Sequence, residues 1–280
     1  VDRRKPSALS PSAIDLWEQC PRRFEQERVL RRRSMPGVDA VIGTFAHRAL
    51  ELLMSAEPDK RTIRTARQVA KQVWVEVQMD AEFQALGIEL GSPEALEFRR
   101  RAWQAIRGYF EIEDPAEVEV VATERWIEIE IDGVPLRGII DRLDRDVFDD
   151  LVVTDYKTGR VPEERYRTPK LRQLNLYAAM IAETTGERPT GGRLLFTSFG
   201  EEIVTYFTED SIDAALQAAS AAWEAIDRAM GSGFEPRPGP LCGWCPFVGE
   251  CPEGLDEIRE RRATGRLKRS APAYDLAASD

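Results

Sequence analysis

Residues 138–159 read GIIDRLDRDVFDDLVVTDYKTG, and their pattern decides the core of the fold. One apolar run ends at Asp141, the next ends at Asp155, and Lys157 follows two residues later. An Asp-rich turn separates the runs, so the spacing predicts antiparallel strands joined by a hairpin. Such a hairpin sets two carboxylates and an ammonium side by side at neighbouring strand ends. Carboxylate oxygens are hard ligands for Mg²⁺ or Mn²⁺, and a lysine beside them places positive charge near the reacting atoms. These are the groups that metal-assisted phosphodiester cleavage needs.

Outward from this hairpin, the Val- and Ile-rich segments 117–131, 134–142 and 150–156 read as three strands. Asp132-Gly133 forms a tight turn between the first two. Residues 169–184 return to a helical period, with Gln173 and Tyr177 four apart on one face. Segments 191–198 and 202–208 read as a hairpin around Gly200, and an Ala-rich helix covers 210–230. Upstream, Ser10-Pro11 predicts a helix start that continues to about Phe24. Further helices are expected over 44–56, 61–85 and 93–111. The fold class is therefore α/β: helix, three-stranded meander, helix and strand, with a helical insertion at about 57–114. The expected division is 1–42, 43–230 and a Cys-bearing 231–280 with a basic tail.

The 280 residues are 42% hydrophobic and 31% charged, enough apolar material for a substantial core. No apolar run reaches the length of a membrane span and no secretory pattern is seen, so a cytoplasmic location without membrane association is expected. The net charge of −10 argues against a simple nucleic-acid binder, but cationic runs are present. They comprise Arg22, Arg23, Arg28 and Arg31 to Arg33; Arg99 to Arg101; Arg165 to Arg172; and Arg259 to Arg269. Each run by itself reads as a solvated face.

The single histidine, His47, lies in G-x-x-x-H-x-x-L-E, with Glu51 one turn later on the same helix face. A lone helical histidine is ordinarily structural. Beside Asp141 and Asp155, however, it offers the third metal ligand, with Glu51 orienting the ring. Gln173 and Tyr177 read either as a polar helix edge or as a contact to a phosphate or to Lys157. Four cysteines complete the candidates: Cys20, and Cys242-x₂-Cys245-x₅-Cys251 more than 200 residues away. The C-x-x-C spacing points to metal or redox work. A 1+3 split is untypical of structural zinc, and four thiolates can hold a 4Fe–4S cluster. Cys20 as an ordinary buried thiol is the alternative, although Cys20-Pro21 breaks the helical pattern. Trp244 and Phe247, between the cysteines, are expected to shield the site.

Taken in order, G-x-x-x-H-x-x-L-E (43–51), G-I-I-D (138–141), D-Y-K-T-G (155–159) and Q-x-x-x-Y (173–177) resemble the RecB-type branch of the PD-(D/E)XK nucleases. The flanking cysteines are similar to those of its iron–sulfur subgroup, which includes AddB-type subunits and CRISPR-associated exonucleases. The resemblance implies a restriction-endonuclease-like core and a four-cysteine iron–sulfur lobe built from both chain ends. It implies that His47, Asp141, Asp155 and the Tyr156 carbonyl bind Mg²⁺ or Mn²⁺, and that Lys157 positions the attacking water. It further implies that Gln173 and Tyr177 contact DNA near the scissile phosphate, and that Cys20, Cys242, Cys245 and Cys251 ligate a 4Fe–4S cluster. Ile140 stands where the superfamily's name has Pro, and Asp155 where many members have Glu. The implied activity is a metal-dependent DNA nuclease on single strands or ends, in repair or recombination. A non-catalytic DNA-end module and a CRISPR-spacer-processing nuclease remain the alternatives. No G-K-[ST] occurs, so any helicase motor is a separate partner.

Overall fold

A computed structural model of the chain describes residues 3–32 and 34–278; Arg33 of the first basic run lies outside the described residues. In chain order the elements are α1 (Pro11–Gln19), α2 (Pro21–Phe24), α3 (Val38–Met54), α4 (Ile63–Gln78), α5 (Ala81–Ala85) and α6 (Pro93–Tyr109). Strands β1 (Glu119–Ile131), β2 (Val134–Arg145) and β3 (Leu151–Lys157) follow, then α7 (Thr168–Thr185). The chain continues through β4 (Gly191–Phe196), β5 (Glu201–Tyr206), α8 (Glu209–Ser232) and α9 (Pro252–Ala263). Two compact units result: residues 35–131 with 136–216, and residues 1–34 with 132–135 and 217–280.

In the larger unit the five strands stand in the order β1-β2-β3-β4-β5. β3 is antiparallel to β2 and parallel to β4, and β5 closes an antiparallel hairpin with β4. The parallel pair requires a crossover, which α7 supplies. The turns have the backbone their residues favour. Asp132 and Gly133 both have positive φ (50° and 75°), as a two-residue hairpin demands. Asp146 Oδ1 accepts from Phe148 N and Asp150 N to close the β2–β3 turn. Gly186, at φ 77°, stops α7.

The helical insertion packs on one face of the sheet. Phe45 on α3, Trp74 on α4, Phe83 on α5 and Phe98 on α6 interlock, mostly edge to face at 5.2–6.2 Å between centroids. Tyr156 and Leu195 join this core from the strands. Gly108 lets α6 approach the end of β4, because a Cβ there would sit 2.0 Å from the Thr197 carbonyl oxygen. Arg61, 8% exposed, donates to the carbonyls of Ala56, Pro115 and Val118, tying the two ends of the insertion together. On the other face, Ala178 and Ala179 of α7 pack with Ile212, Ile131 and Phe207.

The expected helix over 61–85 is two helices. The chain turns at Met79, and Asp80 restarts it by accepting from Glu82 N at 2.6 Å. The expected helix from Ser10 to Phe24 is also interrupted. Ser10 caps it as the sequence predicts, but Cys20 adopts extended backbone (φ −164°) before Pro21 starts α2. Proline both lacks an N–H and disfavours a helical residue before it.

In the smaller unit, Trp17 and Phe24 meet Phe234 at 6.0 and 6.4 Å, and Arg22 Nε donates to the Phe234 carbonyl. Arg32 forms a two-pronged ion pair with Glu250 at 2.7 and 2.6 Å. Both ends of the chain therefore meet within this unit. Among the described residues no helix is long and apolar enough to cross a membrane.

Candidate active site

The β2–β3 register pairs Arg142 with Thr154, so Asp141 and Asp155 stand one residue further along adjacent strands. Asp141 Oδ2 accepts from Tyr156 N at 2.7 Å, locking the first acid to the strand that carries the second. His47, on α3, places Nδ1 3.4 Å from Asp141 Oδ2, and its ring meets Tyr156 edge to face at 5.9 Å. Lys157 Nζ lies 2.6 Å from Asp155 Oδ2. From α7, Gln173 Nε2 donates to Asp155 Oδ1 at 2.8 Å and to Tyr177 OH at 3.2 Å, while Gln173 Oε1 accepts from Lys157 Nζ at 3.1 Å. The five residues His47, Asp141, Asp155, Lys157 and Gln173 thus share one site, and Tyr177 backs it. Gly138 makes room for Tyr177, since a Cβ there would lie 2.5 Å from the ring.

Glu51 ion-pairs with Arg48 at 2.7 Å, whereas the acid nearest the His47 ring is Asp141. The ligand atoms that converge most closely are those of His47, Asp141 and a residue absent from the sequence reading, Glu124 on β1. One donor atom from each lies within 4.8 Å of the others. Asp155 stands outside this trio, turned toward Lys157 and Gln173. Glu124 also has left-handed backbone, φ 45°, in mid-strand, a conformation that costs a non-glycine residue roughly 1–3 kcal/mol.

The donor set of imidazole nitrogen and carboxylate oxygens suits a hard divalent cation. Asp155 is almost wholly buried, with its Oδ2 against the lysine ammonium. Titration follows from crowding. Burial pushes the Asp155 carboxyl up, Lys157 opposes this, and Asp141 adds to it. Burial, reinforced by Asp141, raises Glu124 to about 7. Burial lowers His47, but the hydrogen bond and charge of Asp141, with Asp155 behind it, outweigh that and leave the imidazole raised.

Beneath the strand ends lies a charged cluster that the hairpin pattern conceals. Arg142 is fully buried, 2.7 Å from both Glu113 Oε1 and Asp144 Oδ1. It also donates to the hydroxyls of Tyr109 and Tyr156 at 2.9 and 3.1 Å. Tyr156 therefore links the guanidinium below to the His47 ring above.

In the smaller unit, Cys20, Cys242, Cys245 and Cys251 are all free thiols and all line one pocket, with Phe247 in its wall. Trp244, 41% exposed, does not line it. Two of the sulfurs accept a backbone N–H, Cys20 from Arg237 and Cys242 from Gly239. A tetrahedral zinc site, with Zn–S about 2.3 Å, requires sulfurs about 3.8 Å apart. Among the described residues no three of these sulfurs come within 4.8 Å of one another.

The family model described as the PD-(D/E)XK nuclease superfamily matches residues 8–252. The Gene 69 protein of Mycobacterium phage D29 is 31% identical over 135 residues, 47% of this chain and 48% of that protein. The chain thus spans about half the length of the curated relative it matches. Among solved structures, a candidate exonuclease from Eubacterium rectale is 13% identical, with a TM-score of 0.47 over 98% of this chain and 94% of its own. Matched over most of its length, with an acid-acid-lysine cluster where β2 and β3 meet, the chain belongs to the PD-(D/E)XK nuclease superfamily.

Proposed function

We propose that the chain is a divalent-metal-dependent deoxyribonuclease acting on single strands or DNA ends, with a role in repair or recombination. The observation that carries this reading is the meeting of Asp141, Asp155 and Lys157 with His47 at one end of the sheet. His47, Asp141 and Asp155, with the Tyr156 carbonyl and Glu124, would hold Mg²⁺ or Mn²⁺. When bound, such an ion supplies Lewis-acid polarisation of a phosphoryl oxygen and lowers the pKa of water. Lys157 positions the attacking water and offsets the charge that develops on the phosphorane oxygens. Gln173, bonded to both Asp155 and Lys157, fixes the angle between acid and ammonium. Tyr177 holds Gln173 and borders the surface where the phosphate enters.

The cysteine pocket is read as the seat of a structural 4Fe–4S cluster. Four thiols on one pocket, with backbone N–H groups on Cys20 and Cys242, support this reading, because hydrogen bonds to the sulfurs tune cluster thiolates.

Incubation of end-labelled single- and double-stranded DNA with Mg²⁺, Mn²⁺ or a chelator tests the activity. Shortening of the single strand in metal alone is expected; intact DNA under every metal would overturn the reading.

A further inference from the structure

The sequence presents Arg99 to Arg101 as a solvated run. The structure sets it against a second cationic helix face. On α4, Arg67, Lys71 and Trp74 recur at helical spacing; on α6, Arg99, Arg100 and Trp103 do the same. The two faces are reciprocal: Arg67 lies over the Trp103 ring at 5.5 Å, and Arg99 over the Trp74 ring at 5.4 Å. All six side chains line one open groove of about 510 Å³, within the roughly 300–1,000 Å³ of ligand clefts. Among the described residues Arg67, Lys71 and Arg99 have no carboxylate partner, in a chain whose net charge is −10. Arg100, paired with Glu97, also lines a second groove of about 450 Å³, where Arg101 pairs with Asp39 and the wall includes Thr158, Gly159 and Arg160, the residues that directly follow Lys157.

From these grooves we infer that the α4–α6 face is a binding track for an unpaired nucleic-acid strand, leading bases over Trp74 and Trp103 toward Lys157. The chemistry is specific. Unneutralised cations attract a phosphate chain, and guanidinium groups laid on half-buried indoles, Arg67 on Trp103 and Arg99 on Trp74, carry a stacking surface outward to any base. A duplex, with its bases already stacked on one another, gains only the electrostatic part. The inference deepens the nuclease reading and takes from it the identity of the substrate.

The test measures fluorescence anisotropy of labelled oligo(dT) bound to full-length Asp155→Ala protein in chelator, across a salt series. Trp103→Ala should weaken binding roughly fivefold to a hundredfold, while Trp103→Phe, which keeps an aromatic face, stays within about threefold of its parent. The Arg67→Ala/Arg99→Ala pair should flatten the log–log salt slope by about 1.4, at roughly 0.7 per lost phosphate contact. Arg99→Glu, an exposed substitution, gives the same answer should Trp103→Ala fail to fold. Unchanged affinity and slope in these variants would overturn the inference, as would equal competition by polyglutamate, which would make the face a site for acidic polypeptide. Cleavage by the parent protein is scored separately. Weakened binding in the variants with no cleavage by the parent sinks the nuclease reading and leaves the binding track standing.

Discussion

Gln173 is hydrogen-bonded to Asp155: its Nε2 donates to Oδ1 at 2.8 Å, and the other end of the same amide accepts from Lys157 Nζ at 3.1 Å. One side chain on α7 thus sets the relative position of the acid and the ammonium on β3. Gln173→Leu keeps the volume and removes both bonds. By analogy with groups that orient metal ligands, the expected loss is about 10–100-fold in kcat, with little change in substrate affinity. Single-turnover digestion beside binding measurements checks this. A loss of affinity at unchanged kcat would instead place Gln173 on the substrate.

Glu124 makes the metal-free site sensitive to pH. Its folded pKa, about 7, lies above the ordinary value of 4.5 because of burial and Asp141. Its contribution to stability is therefore fully present below about pH 4.5 and is lost as pH rises through 7. Cation binding reverses the sense by displacing the proton. Mn²⁺ affinity should fall as pH drops below 7, with proton release measurable by calorimetry in two buffers. In Glu124→Gln that proton release should shrink and the remaining affinity should weaken. An identical pH profile in the variant would remove Glu124 from the site.

Arg142 supports the catalytic strand from below. Replacing it by Leu leaves buried Asp144 without its cation and Glu113 with Arg193 alone, a loss of about 3–5 kcal/mol for a broken buried pair. Urea unfolding monitored by circular dichroism gives the number. A change under about 1 kcal/mol would mean that water reaches the cluster.

Gly138→Ala drives a methyl group to 2.5 Å from the Tyr177 ring. Overpacking of this kind costs about 1–3 kcal/mol, and the displaced ring should disturb Gln173 and lower activity as well. Thermal melting and digestion of the same preparation test both effects, and Tyr177→Phe provides the comparison in which the ring stays and only its hydroxyl is lost.

Protein purified without oxygen should be brown, with broad visible absorbance from thiolate-to-iron charge transfer. Cys20→Ala should lose that colour and melt earlier, because cluster binding is coupled to folding. A colourless parent carrying stoichiometric zinc would overturn the iron–sulfur reading.

Much of the site is legible in the chain because its parts are local. Asp141, Asp155 and Lys157 lie on one hairpin, and the Asp132-Gly133 and Asp146–Asp150 turns announce themselves by residue type. Gln173 and Tyr177 show the helical spacing that sets Gln173 on Asp155 and Tyr177 on Gln173. Glu124 is hidden because β1 is rich in glutamate, at 119, 124, 128 and 130. What sets Glu124 apart, its left-handed backbone and its approach to His47 and Asp141, appears only in the folded chain. Arg142 is hidden for a related reason: in R-L-D-R the eye assigns charges to a metal site or to solvent, and burial among Tyr109, Tyr156 and Glu113 depends on a helix over thirty residues upstream. The facing of α4 and α6, and with it the reciprocal Arg–Trp contacts, is likewise a matter of packing between elements.

The most direct test of the account is digestion of 5′- and 3′-labelled single-stranded DNA by the parent and by Asp155→Ala and Lys157→Ala, each shown to be folded, in Mg²⁺ or Mn²⁺. Cleavage by the parent is expected, with a loss of roughly 10²–10³-fold or more in each variant. Variants that degrade DNA as fast as the parent would contradict it.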